Sequence, residues 1–196
     1  MKRRESDIPD ARSCPGKVKR LALALEKNGM PFERALEEIA SAKGLADRDK
    51  PAVGAWFAER LPKLEATMPA ETFQAVMEDC ACCKGGERHR RAVEIRNTCA
   101  TVAERLDALG NARIIIGDHL ERVDARTFRV HFFPEGWEFY RCSCLRYGPG
   151  EQTGPMPVAY CVCCGGHIKG HCEAALGVRL TERVITSSLT TCGREG

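Results

Sequence analysis

The stretch Y-C-V-C-C-G-G-H-I-K-G-H-C, residues 160–172, narrows the folds open to this chain more than any other feature. Between Cys161 and Cys172 it places four cysteines, two histidines and three glycines, residue types that bind metals or bend backbone rather than fill a core. Thiolates and neutral imidazoles are the ligands of zinc and, with iron and sulfide, of iron–sulfur centres, so a metal or thiol site is the first expectation. Two more groups of cysteines support it: Cys142-Ser143-Cys144 shortly upstream, and Cys80-Ala81-Cys82-Cys83 in the first half.

A chain of 196 residues buries a sizeable core without cross-links, so its 12 cysteines call for a chemical explanation rather than a structural one. No apolar stretch of signal-peptide type follows Met1, and no run is long enough to span a bilayer. The expected location is cytoplasmic, where disulfides are disfavoured and cysteines serve metal binding, redox chemistry or packing. A net charge of +3 is too balanced to point to nucleic acid. The densest basic cluster, Arg88-His89-Arg90-Arg91, has Glu87 and Glu94 as neighbours and reads as a solvated helix face.

The first half has helical periodicity. Leu21 and Leu25 mark a helix over 17–27 that Asn28-Gly29 ends, and Pro31 opens a second with Phe32, Ala35, Leu36 and Ile39 on its stripe. A third covers 51–64, and a fourth begins at Pro69 with the stripe Phe73, Val76, Met77, Cys80. Gly85-Gly86 breaks it, and Ala92, Ile95, Cys99, Val102, Leu106 and Leu109 then predict one long helix ended by Gly110-Asn111. Beyond Gly110 the pattern changes to β: Ile114-Ile115-Ile116, a hairpin of 127–133 with 137–145 across Pro134-Glu135-Gly136, a strand over 157–163, and one or two strands over 178–189. Between the last two, 165–176 reads as a helix ended by Gly177.

If 142–144 and 161–163 are neighbouring strands, alternation brings Cys142, Cys144, Cys161 and Cys163 together, with Cys164 beside them, across the usual strand spacing of about 5 Å. The other account of these residues is reduced cysteines facing the core. His167 and His171, at i and i+4, share a helix face and suit one ion or ligand, or are simply two partly buried imidazoles. Ile168 replaces the glutamate of H-E-x-x-H, which argues against a zinc peptidase. Cys163, Cys164 or Cys172 beside either histidine would make a nucleophile–base pair for a hydrolase.

Cys161, then four residues, then Gly166-His167-Ile168-Lys169-Gly170 and Gly177 resemble the 4-vinyl reductase or hydrocarbon-binding domain. The longer layout, from Met77-Glu78-Asp79-Cys80 through Arg141-Cys142-Ser143-Cys144 to Tyr160-Cys161-Val162-Cys163, is similar to bacterial proteins related to the aminothiazoline-carboxylate hydrolase family. The first resemblance implies a strand followed by a close-packed helix, a zinc site of cysteines and a glutamate, and an enclosed pocket for small aromatic or apolar ligands. It carries zinc ligands over to Cys161 and Cys192 alone, because Ile185 stands where a cysteine would follow Glu182.

The expected fold is α+β: N-terminal helices over 1–68, then over 69–196 a domain whose twisted antiparallel sheet is packed by helices. The expected function is small-molecule binding of sensor type beside a cysteine-coordinated zinc, with Cys142, Cys144, Cys161, Cys163, Cys164 and Cys192 as ligands. His167, His171, Phe132 and Tyr140 would contact a small apolar or aromatic ligand, with Phe128, Val130 and Phe139 completing its pocket against the 92–109 helix. An iron–sulfur or thiol-redox protein and a cysteine hydrolase of a small heterocyclic or amide substrate are the alternatives. Neither nucleic acid nor membrane is an expected partner, and a homodimer is compatible with the reading.

Overall fold

The computed structural model describes residues 3–8, 14–81, 85–134 and 136–194, so Cys82, Cys83 and Glu135 of the expected turn lie outside the described residues. The fold is α+β. Eight helices surround one small antiparallel sheet of two strands among the described residues.

Local chemistry sets the boundaries of the first helices. Helix α1 (Gly16–Lys27) stops because Gly29 takes φ +100°, a left-handed turn that lets the Met30 N–H reach the Leu25 carbonyl at 3.0 Å. Pro31 then leads into α2 (Phe32–Ile39), whose buried Phe32, Ala35 and Ile39 repeat at helical spacing. The Asp49 carboxylate caps α3 (Lys50–Glu65) by accepting from the Ala52 N–H at 3.1 Å. Helix α4 (Ala70–Asp79) buries Phe73, Val76 and Met77.

The predicted single helix over 92–109 is two. Helix α5 (Gly86–Thr98) ends at Cys99, and Thr101 starts α6 (Val102–Gly110) with a capping box: its hydroxyl accepts from the Glu104 N–H while Glu104 accepts from the Thr101 N–H. Ile114-Ile115-Ile116 form no strand. They belong to the single turn α7 (Arg113–Ile116), because burying Ile115 and Ile116 between α5, α6 and the sheet outweighs their β preference.

Strand β2 (Phe128–His131) lies where expected, but its partner is β1 (His119–Arg122), with His119 opposite His131 and Leu120 opposite Val130. The 137–145 segment joins no strand. Its Tyr140 N–H donates instead to the Gly193 carbonyl at 2.8 Å, which ties it to the C-terminal segment. Residues 178–189 likewise form no ladder among the described residues.

Helix α8 (Ala159–Leu176) is the hub of the fold, with α3, α4, α5, α6 and α7 all packed on it. The expected strand over 157–163 is its first turns. Tyr160, Cys161, Val162 and Cys163 are all buried, so the segment lacks the polar face that marks an amphipathic helix. Its N-terminal half enters a core with α1 to α4, and its C-terminal half a second core with α5, α6, α7 and the sheet. The larger core thus draws on both sides of residue 68. Gly166 permits a close crossing, since a Cβ there would stand 2.9 Å from the Glu78 Cα of α4. Gly177, at φ +75°, ends the helix where predicted. No helix among the described residues is long and apolar enough to cross a membrane.

Candidate metal centre

Two elements bring the sulfurs together. Helix α8 presents Cys163 and Cys164 in its first turns, and the irregular segment 137–157 lays Cys142 and Cys144 against them. The approach of that segment is fixed locally: the Arg146 N–H donates to the Cys142 carbonyl at 2.8 Å, and Arg146 itself holds φ +57°. A non-glycine residue in that region is strained and persists only where the surroundings hold it.

Cys144 Sγ lies 3.7 Å from Cys164 Sγ, and Cys144 also exchanges hydrogen bonds with Cys142 and Cys163. The Cys144 N–H points to Cys142 Sγ at 3.4 Å. A hydrogen bond from the Cys144 thiol, opposed by burial and helped by the Leu145 and Cys144 N–H groups, brings the Cys142 thiol down to about 7. Cys142 pulls the other way on Cys144, but hydrogen bonds from Cys163 and Cys164 prevail and hold its thiol below the ordinary range. The cost falls on Cys164, pushed up by its hydrogen bonds to Cys144 and Cys163 and by burial. The sulfurs meet in pairs, and among the described residues no three His, Cys, Asp or Glu side chains enclose a common point.

Cys161 does not join them. On a helix it faces away from Cys163, and its Sγ meets the Ser187 Oγ at 2.9 Å in the C-terminal segment. Burial pushes its thiol up to about 11. The strand-to-strand pairing of 142–144 with 161–163 is therefore replaced by a C-x-C loop facing the vicinal pair Cys163-Cys164. Cys192 occupies a left-handed turn, φ +53°, and among the described residues makes no hydrogen bond with the cluster. Cys80, at the end of α4, is buried near Cys163, and burial foremost pushes its thiol up to about 12. Cys172 belongs to the second core, its thiol likewise pushed up to about 12 by burial, which makes it a poor nucleophile.

His167 and His171 follow Cys163 along α8 and meet edge to face, ring centres 4.6 Å apart. Arg88 and His89 of α5 turn toward them: Arg88 Nη1 is 3.0 Å from His167 Nε2, and the His89 ring is 6.1 Å from that of His171. The first two members of the basic cluster at 88–91 thus contact α8. Tyr140 borders the sulfurs, its hydroxyl pushed up by burial and by Cys142, with Arg88 opposing. Phe132 lies elsewhere, against Gly117 at the end of α7, and Phe139 covers Gly193. Phe128 and Val130 pack into the second core. The expected aromatic pocket is not assembled by these residues.

Lys17 of α1 carries a signal the sequence reading passed over. It stands one turn before Leu21 on the buried stripe of its helix, a charge in a core position, and is 8 % exposed. Its Nζ donates to the Tyr160 carbonyl at 3.2 Å and sits 3.1 Å above the Tyr160 ring. Burial works against the ammonium charge, but Cys163, Tyr160, Cys144 and Cys164 favour it and push its pKa up.

Glu182 rests on Gly165 with one carboxylate oxygen buried and, among the described residues, without a hydrogen bond; burial and Glu78 raise its carboxyl to about 8. The surface holds a hollow of about 350 Å³ lined by residues that include Arg96, Gly170, Glu173, Gly177 and Arg179, and another of about 330 Å³ lined chiefly by Leu25, Met30, Pro31, Met68 and Val76. No family model, curated protein or solved structure matches the chain.

Proposed function

We propose that this is a cytoplasmic zinc protein whose ion is held by the thiolates of Cys142, Cys144, Cys163 and Cys164. The observation that carries the reading is the Cys144–Cys164 sulfur separation of 3.7 Å. With Zn–S bonds of about 2.3 Å, sulfurs at the corners of a tetrahedral site stand about 3.8 Å apart, so the spacing of this pair suits one edge of such a site. Two of the thiols also have lowered pKa values, as metal ligands require. Bound there, zinc would supply structural cross-linking, tying the 137–157 segment to α8. Anaerobic addition of cobalt(II) to metal-free protein tests this: intense sulfur-to-cobalt charge-transfer absorption with tetrahedral ligand-field bands is expected, and a spectrum of free cobalt would sink the reading.

A second reading, thiol-redox exchange, is favoured by the same close pair. The Cys144 thiolate would attack a small-molecule disulfide and release one thiolate, and Cys164 would displace the second thiolate as its proton leaves, forming a Cys144–Cys164 disulfide. Protein that consumes one equivalent of such a disulfide and takes up no cobalt would favour it. The small apolar or aromatic ligand implied by the resemblance finds its best lining in the hollow between Leu25, Met30, Met68 and Val76, whose volume of about 330 Å³ suits a small ligand.

A further inference from the structure

We propose that the hollow at the C-terminal end of α8 is a binding site for a phosphate group, free or carried by a small ester. Arginines from three parts of the chain meet there: Arg96 of α5 and Arg179 line the hollow, and Arg105 of α6 lies beside Gly177. Gly177 makes the approach possible. A Cβ at that position would stand 3.1 Å from Arg105 Nη1 and 3.3 Å from Arg96 Nε, and the glycine holds the left-handed φ of +75° that closes the helix. Arg105 is fixed by carbonyls, donating to Cys99 and Leu176 at 3.0 Å and to Ala100 at 3.4 Å. Those dipoles cancel no net charge. Arg96 makes neither hydrogen bond nor ion pair among the described residues, so its guanidinium is available to a ligand.

The acid that lines the hollow, Glu173, is already engaged: its Oε1 accepts from the Leu180 N–H at 2.9 Å, and its Oε2 lies 3.6 Å from Arg179 Nη1. Three guanidinium groups against this one carboxylate leave a local surplus of two positive charges. A phosphate monoester carries about −1.5 to −2 near pH 7 and offers three acceptor oxygens, which matches that surplus better than the single charge of a carboxylate. Guanidinium groups pair with such oxygens two at a time. Gly170 keeps the space clear: a Cβ there would meet nothing within 4 Å, so no packing contact requires a glycine, and a larger side chain would enter the hollow that Gly170 and Ala174 line. Its volume of about 350 Å³ is that of a small-ligand site and leaves room beside Ala174 and Val178 for a short ester group. The site lies at the opposite end of α8 from Cys163 and Cys164 and is independent of any metal there.

The test is titration of the full chain with inorganic phosphate, glycerol 3-phosphate and acetate, followed by calorimetry and amide NMR at about 0.15 M salt, which screens loose surface attraction. A phosphate compound should saturate one site, with shifts centred on Arg96, Gly170 and residues 173–179, and the tighter of the two compounds identifies the source of the group. Acetate should bind about tenfold more weakly or less. Arg96 is exposed and Gly170 has open space beside it, so Arg96→Gln and Gly170→Leu should both fold. Each should weaken the phosphate compound by about tenfold or more, the first by removing the free guanidinium and the second by filling the hollow. No saturable binding of either phosphate compound, acetate bound as tightly as phosphate, or an affinity unchanged in a folded Arg96→Gln or Gly170→Leu chain would overturn the proposal.

Discussion

Cys80, Cys161 and Cys172 have thiols raised to about 12, 11 and 12, in each case by burial before anything else, while that of Cys142 is lowered to about 7 by neighbouring hydrogen-bond donors. Because the thiolate is the reactive form, metal-free protein near pH 7 should alkylate at Cys142 and Cys144 well before those three. Mass spectrometry of timed iodoacetamide quenches would show it, and equal rates would mean the hydrogen bonds at Cys142 and Cys144 do not form. Glu182 titrates in the opposite sense to a salt-bridged carboxylate. Its folded pKa of about 8 lies above the ordinary 4.5, so its contribution is complete below 4.5 and is lost as pH rises through about 8. Glu182→Gln should therefore raise the melting temperature at pH 9 relative to the unchanged chain and have little effect at pH 4; a lower melting temperature at pH 9 would contradict the burial of that carboxyl. The cysteines themselves were plain in the sequence. Which of them meet was not, because the assignment of Cys161 depended on whether its segment was strand or helix. Lys17 was legible in principle as a charge on an apolar stripe.

Helices with one polar face announce themselves, and α1 to α4 begin and end close to where spacing, Pro31, Pro69 and Gly29 place them. Helix α8 does not, since a segment buried on nearly every side gives neither a 3.6-residue nor a two-residue rhythm, and its valine and tyrosine suggest a strand. The split between α5 and α6 was readable as Thr101-x-x-Glu104, but the apolar stripe running through Cys99 hid it. Thr101→Ala should cost about 0.5–2 kcal/mol and speed amide exchange in the first turn of α6, whereas a stability within error of the unchanged chain would make the capping box incidental. The Gly166-x-x-x-Gly170 motif divides into two roles. Gly166 faces the Glu78 backbone, while a Cβ at Gly170 meets nothing within 4 Å. Gly166→Ala should then cost about 1–3 kcal/mol by forcing α8 from α4, and Gly170→Ala should be neutral or stabilise by up to about 1 kcal/mol. Urea unfolding of both variants decides it, and the reverse order would place the tight crossing at Gly170.

At the scale of the molecule, one helix serves two cores. The N-terminal half of α8 closes the α1–α4 core, its C-terminal half closes the core of α5, α6, α7 and the β-ribbon, and segments without regular structure clasp its thiol-bearing end. Backbone hydrogen bonds from Tyr140 to Gly193 and from Met156 to Leu189 tie those segments together, and the side-chain contact of Cys161 Sγ with Ser187 Oγ ties them to α8. On the proposed function, a metal joining Cys142 and Cys144 to Cys163 and Cys164 would supply the cohesion that a sheet would otherwise give, and its binding energy would become folding energy. The α+β class was legible because the helical half and the Phe128–His131 strand follow simple periodicity; the arrangement of 137–157 was not, because it is set by side chains distant in sequence. Metal analysis of protein purified anaerobically without chelator tests this account most directly. It predicts stoichiometric zinc in the unchanged chain and in Cys161→Ser, with zinc lost and the melting temperature lowered in Cys144→Ser and Cys164→Ser; a metal-free unchanged chain, or zinc retained in Cys144→Ser and lost in Cys161→Ser, would contradict it.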